Sequence, residues 1–185
     1  MRVAPFVPGE DPVCPGDRLD FACQGCGGCC TDTTPYLTPY DVWRLARHLG
    51  LTTGEILDRT ALVRPEDGGA PLLQLILAGE NGECVFLAPA ARLCLVYPAR
   101  PLSCRAFPLG LRHEADGDRL TKAHTLPECR GEGRGRQTAG EYLEAQLDAE
   151  ERRWSRAYAG LAREIFPPGG RRSEDPEYVS YYLRT

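Results

Sequence analysis

Four cysteines within eight residues, Cys23-Gln-Gly-Cys26-Gly-Gly-Cys29-Cys30, most constrain what this chain can fold into. Cysteines two residues apart can aim their sulfurs at one centre. The glycines between them let backbone amides approach that centre and stabilise thiolate or sulfide charge. The chain has nine cysteines in 185 residues. Such an excess reflects either disulfides in an oxidising compartment or metal-bound thiolates in a reducing one. The first 13 residues hold one arginine, three prolines and two acids, without the apolar core of roughly seven or more residues that an export signal needs. The expectation is a cytoplasmic protein with metal-bound thiolates.

Adjacent Cys29 and Cys30 point in different directions and are not equivalent ligands on one ion, so other residues must complete the site. Cys84, Cys94, Cys104 and Cys129 are the candidates. They are widely spaced, which is how a folded domain closes a site seeded by a local loop. A four-cysteine zinc site usually draws on two C-x2-C pairs, and the second half of the chain offers none. A cubane cluster tolerates one cysteine run plus a remote ligand, although the customary Cys-Pro is absent here. The favoured reading is an iron–sulfur cluster, 4Fe-4S, with zinc as the alternative. Eight cysteines could form two four-ligand sites, or one cluster with extra thiols around it.

Composition narrows the classes. Hydrophobic residues make up 42% and charged residues 26%, enough for a core, while 20 Gly and 16 Pro predict a loop-rich domain. A net charge of −4, without basic runs interleaved with aromatics, argues against nucleic acid as a partner. The longest apolar stretch, residues 72–78, is interrupted by Gln74 and is far below the roughly 20 residues of a membrane span, so no membrane association is expected.

Local signals predict the elements. Residues 1–20 read as an extended proline-rich arm, 21–136 as the cysteine-cluster domain, 137–168 as a helix packed on it, and 169–185 as a tail. Thr38 and Pro39 open a helix whose stripe is Val42, Leu45, Ala46 and Leu49, ending at Gly50. Thr52 and Glu55 have capping-box spacing for a second helix, giving a helical hairpin. Residues 72–78 and 84–87 read as a strand hairpin, and residues 93–97 as a further strand. Pro101 opens a helical turn carrying Cys104, and residues 109–113 and 119–124 form another hairpin. Residues 129–136 read as a Gly- and Arg-rich loop. Thr138 and Glu141 then cap a long helix with Leu143, Leu147, Trp154, Tyr158, Leu161 and Ile165 on one face, expected to be core. Tyr178, Tyr181 and Tyr182 of the tail would dock on the body or on a second subunit. The fold class is α+β: a small single domain with a helical hairpin, a short antiparallel sheet and a long C-terminal helix around a cysteine-bound metal centre.

The cysteine run, Cys84-Val-Phe-Leu, the stretch Cys94-Leu-Val-Tyr-Pro-Ala-Arg100-Pro101-Leu-Ser-Cys104-Arg105-Ala-Phe107-Pro108, and Cys129 together resemble the YkgJ-type cysteine-cluster (CxxCxxCC) family of zinc- or iron-chelating domains. The resemblance runs over residues 21–130. It implies Cys23, Cys26, Cys29, Cys30, Cys84, Cys94, Cys104 and Cys129 as metal ligands, and leaves Cys14 and the C-terminal helix outside the pattern. A larger relative, the flagellin lysine N-methylase, carries a similar cluster associated with an iron–sulfur centre. A methylase-like, metal-dependent modification of proteins is an analogy from that relative, since no Gly-rich nucleotide loop follows a clear strand here.

Arg100 and Arg105 flank Cys104 and could offset thiolate charge or donate to sulfur, or else pair with carboxylates. His48, His113 and His124 read as structural, and Asp41 as a first-turn acid of its helix, with Asp32 and Tyr36 also near the run. No Ser-His-acid trio, His-Glu-x-x-His or phosphate loop is present, so any catalysis would run at the metal. Three functions follow: an iron–sulfur protein with a redox or modifying role, a zinc-stabilised module that meets a protein partner, or a metal-dependent modifying enzyme.

Overall fold

The computed structural model describes residues 11–31, 33, 35–64, 72–78, 82–88, 90–123 and 129–165. The described part of the expected arm holds two strands, β1 (Asp11–Val13) and β2 (Arg18–Phe21). Gly28–Cys30 makes one 3-10 turn, and β3 (Tyr36–Leu37) leads into α1 (Pro39–Leu49). Thr38 and Asp41 bond each other's backbone amides at the start of α1, a full capping box, and Gly50 ends the helix in the left-handed region at φ 68°. A second capping box, Thr52 with Glu55, opens α2 (Thr53–Thr60). The expected helical hairpin is present. It buries Val42, Leu45, Ala46 and Ile56, and leaves Leu49 exposed.

β4 (Ala61–Arg64) and β5 (Leu72–Leu75) join β3 in an antiparallel sheet of order β3-β5-β4. The expected single strand over residues 72–78 is broken at Ile76. β5 serves that sheet, while β6 (Leu77–Ala78) pairs with β7 (Glu83–Cys84). A second small hairpin follows, β8 (Leu87–Ala88) with β9 (Leu93–Cys94), and then a 3-10 turn at Tyr97–Ala99 in place of a longer strand. The two hairpins put Cys84 opposite Leu77 and Cys94 opposite Leu87. Cys104 rides on α3 (Leu102–Ala106).

β10 (Leu109–His113) and β11 (Asp118–Lys122) form the predicted hairpin, with β1 added at the far edge. The segment expected as a Gly- and Arg-rich loop is instead β12 (Glu132–Thr138), paired antiparallel with β2. Gly135 permits this: a Cβ there would collide with the backbone of Phe21. The predicted long helix comes as two, α4 (Ala139–Gln146), capped by Thr138 and Glu141, and α5 (Ala149–Ile165). Asp148 Oδ1 accepts from the Glu151 amide at 2.7 Å and starts the second helix afresh. Of the expected core stripe, Leu143 and Leu147 before or at the break are buried, whereas Trp154, Leu161 and Ile165 beyond it are about half exposed.

Two apolar clusters result. One joins Phe21, Phe107, Leu109, Leu120, Tyr142 and Leu143 and has Cys29 and Cys129 packed against it. The other joins Leu37, Leu45, Ile56, Leu75, Phe86 and Val96 and has Cys84 and Cys94 packed against it. The cysteines therefore lie where the two clusters meet. Among the described residues no helix is long and apolar enough to cross a membrane. The tail tyrosines, Asp32 and His124 lie outside the described residues.

Candidate metal centre

The cysteine run can turn back on itself because Gly25 and Gly27 take φ of 62° and 70°. At Gly27 space demands glycine as well, since a Cβ would sit 2.7 Å from the Arg92 carbonyl oxygen. The turn that follows is tied by the Cys30 amide to the Gly27 carbonyl at 3.1 Å. This winding brings the run against the two hairpins and α3. Cys23, Cys26, Cys29, Cys30, Cys84, Cys94, Cys104 and Cys129 all line one cavity of about 70 Å³, walled by Phe21, Phe86, Val96 and Phe107. Cys14 is exposed, bonded through its amide to Asp17, and does not line the cavity. None of the nine cysteines is in a disulfide.

Four of the eight share a local arrangement. The sulfurs of Cys26, Cys84, Cys94 and Cys129 each accept from the amide two residues on, at Gly28, Phe86, Val96 and Gly131, and Cys26 also accepts from the Arg130 amide. An amide aimed at sulfur stabilises thiolate, the form that binds metal. Only the glycines of the run announce such amides in the sequence. At Cys84 and Cys94 the tight ends of β7 and β9 supply them.

Burial works the other way. It pushes the thiols of Cys84, Cys94 and Cys129 up, and that of Cys104 well up, with neighbouring thiols adding to the rise. Cys29 and Cys30 shift each other in opposite directions. Cys30, beside it, holds the Cys29 thiol down to about 7, assisted by Arg100, while Cys30 itself is driven strongly up. Several thiolates in one apolar cavity repel each other, so the ionised set calls for a bound cation.

Arg100 and Arg105, alike in sequence, have opposite roles. Arg100 Nη1 donates to Cys23 Sγ at 3.3 Å, and its guanidinium lies 3.8 Å from the centre of the Tyr97 ring. The Tyr97 hydroxyl stands 3.9 Å from the same sulfur, a contact that sequence reasoning missed. Arg105 turns away from the cavity to the buried carboxylate of Glu151 and the Gln146 carbonyl. Asp41 does more than cap its helix. Its Oδ1 accepts from the Leu102 amide at 2.8 Å and so fixes the helix that carries Cys104. Tyr36 does not line the cavity; its carbonyl accepts from Ser103 Oγ at 2.9 Å. His113 bonds Asp118 at 2.7 Å and Ser155 at 3.0 Å, His48 is exposed at the end of α1, and neither lines the cavity.

Among the described residues, no three His, Cys, Asp or Glu side chains converge closely enough to hold a metal ion as they stand. The thiols ring the cavity wall. Donor chemistry, amide support and cavity size nevertheless fit a thiolate-bound metal group, because about 70 Å³ is several times the ~10–15 Å³ that admits one water. Fold and site together define a small α+β metal-binding domain built around clustered cysteines.

The chain belongs to the CxxCxxCC family, described as "Putative zinc- or iron-chelating domain", which matches residues 22–129. It is also similar to the uncharacterized protein MJ0661 of Methanocaldococcus jannaschii, with 31% identity over 116 residues. That match covers 61% of this chain and 58% of the relative, so the chain spans little more than half of that protein's length. No solved structure matches.

Proposed function

We propose that this chain is an iron–sulfur protein of the cytoplasm, holding a 4Fe-4S cluster on cysteines drawn from the eight around the cavity, with a redox or cluster-dependent modifying role. The observation that carries the reading is the single cavity lined by all eight thiols, more donors and more room than one tetrahedral ion uses. A cluster bound there supplies a one-electron couple or an open iron acting as a Lewis acid. The chain's own contribution is to supply amide donors to Cys26, Cys84, Cys94 and Cys129, and to keep the guanidinium of Arg100 on Cys23. Phe21, Phe86 and Phe107 exclude water from the inner wall.

A zinc-stabilised module is the second reading. It is favoured by the position of the thiols between the two apolar clusters, where a bound ion would join both halves of the core. Dithionite reduction of the chain purified without oxygen separates the two. Partial bleaching of a visible absorption band with a new electron paramagnetic resonance signal is the expected result. A colourless, silent protein containing zinc would overturn the cluster.

A further inference from the structure

The side chains of β9 and of the turn after it divide between the cavity and solvent. Cys94 and Val96 face the metal cavity. Leu93 and Leu95 are 58% and 64% exposed, and Tyr97, which also lines the cavity, is 42% exposed. An outer groove is lined by Cys23, Gln24, Gly25, Leu93, Cys94 and Tyr97, and all of these except Leu93 also line the inner cavity. The wall between solvent and the cysteines is thus one residue thick at this place, with exposed Cys23 in it. Exposed Leu93 at such a wall leaves unpartnered apolar surface directly over the site.

A second groove continues from the first through Gln24, Gly25 and Leu93, and is lined by Arg92, Arg130 and Arg134. Glu83 is the one acid among its lining residues, and it is taken by Arg92 at 3.3 Å. Arg130 and Arg134 are exposed and form no salt bridge among the described residues. With Arg100 at the mouth, this basic rim stands on a chain of net charge −4. An apolar centre inside a one-signed rim is the layout of a protein docking face whose charges steer the encounter.

We propose that the mouth of the cysteine cavity, centred on Leu93 and Tyr97 and rimmed by Arg92, Arg130 and Arg134, docks a protein partner bearing an apolar patch within an acidic surface. The inference rests on the cavity holding a metal centre, whether cluster or zinc. Docking there brings the partner to Cys23, the exposed thiol of the eight.

The probe is a fluorescein-labelled synthetic peptide of alternating Glu and Leu, titrated into the metal-containing full chain and followed by anisotropy. Its Lys counterpart is the control. The acidic peptide should bind and weaken as salt rises, the Lys peptide should not bind, and bound acidic peptide should slow metal removal by EDTA. Arg134→Glu should weaken binding about fivefold. Leu93→Ser should weaken it as well, each with metal content unchanged. Equal binding of both peptides, indifference to Arg134→Glu, or EDTA removal unaffected by bound peptide would overturn the proposal. So would self-association of the chain that Leu93→Ser abolishes, which assigns the face to a second copy. A colourless zinc protein that binds the acidic peptide removes the cluster reading and leaves the docking face. A cluster-containing chain that ignores the peptide does the reverse.

Discussion

Replacing Asp41 with alanine should show how a helix cap 61 residues before Leu102 holds the helix that carries Cys104 in place. Asp41 is fully buried. Its Oδ2 accepts from the Thr38 amide and hydroxyl, both at 2.8 Å, and its Oδ1 accepts from the Leu102 amide at 2.8 Å. Losing the capping box alone, as in Thr38→Ala, costs about 1 kcal/mol. Asp41→Ala loses the box and also leaves the buried Leu102 N–H without an acceptor, a further cost of about 1–3 kcal/mol. The sum is about 2–4 kcal/mol, which lowers a urea midpoint by roughly 1.5 M for a slope near 2 kcal/mol/M. The assay is urea unfolding of the metal-containing chain, beside Thr38→Ala and with metal release to a chelator followed in parallel. Leu102 opens the helix that carries Cys104, so Asp41→Ala should release metal faster than Thr38→Ala does. If the two variants agreed within about 0.5 kcal/mol and lost metal at the same rate, the Leu102 hydrogen bond would carry no weight and the reasoning would fail.

Glu151 is 1% exposed and pairs with Arg105, with Arg44 at 3.5 Å. Glu151→Ala strands a buried guanidinium and should cost about 3–5 kcal/mol by the same urea assay, while the joint change Arg105→Met with Glu151→Leu should recover most of the loss. Gly27→Ala adds a Cβ 2.7 Å from a carbonyl oxygen, whereas Gly50→Ala, also at positive φ, meets nothing within 4 Å. A calorimetric melting temperature should therefore fall much further for Gly27→Ala than for Gly50→Ala, the latter costing about 1 kcal/mol; equal shifts would show that the close approach is relieved for free. Cys26→Ser should lower bound metal per chain and Cys14→Ser should leave it unchanged, measured by inductively coupled plasma mass spectrometry.

What could be read from the sequence was local. Thr52 with Glu55 and Thr138 with Glu141 cap their helices because both partners of each bond lie within one turn, and β10 with β11 closes on its own short turn. The pairing of β2 with β12 spans more than a hundred residues, and the glycine that allows it, Gly135, erases the strand signal of its own segment. The Asp148 cap that splits the C-terminal helix was available as Asp148 three residues before Glu151, but the apolar stripe masked it. A stripe states that a face is apolar and does not state what covers it, which is why Trp154, Leu161 and Ile165 are exposed where a core was expected. The cysteines were legible because thiols at such spacing have few other uses. The opposite fates of Arg100 and Arg105 were not, since Glu151 lies 46 residues from Arg105. The Tyr97 hydroxyl likewise reaches Cys23 across 74 residues.

The central claim is that the eight-cysteine cavity holds an iron–sulfur cluster. The most direct test is the iron, acid-labile sulfide and zinc content of the full chain purified without oxygen, read against its visible spectrum. A brown protein with iron and sulfide in equal amounts, near four of each per chain for one cubane, is the predicted result. One or two zinc ions per chain, without sulfide or colour, would contradict it.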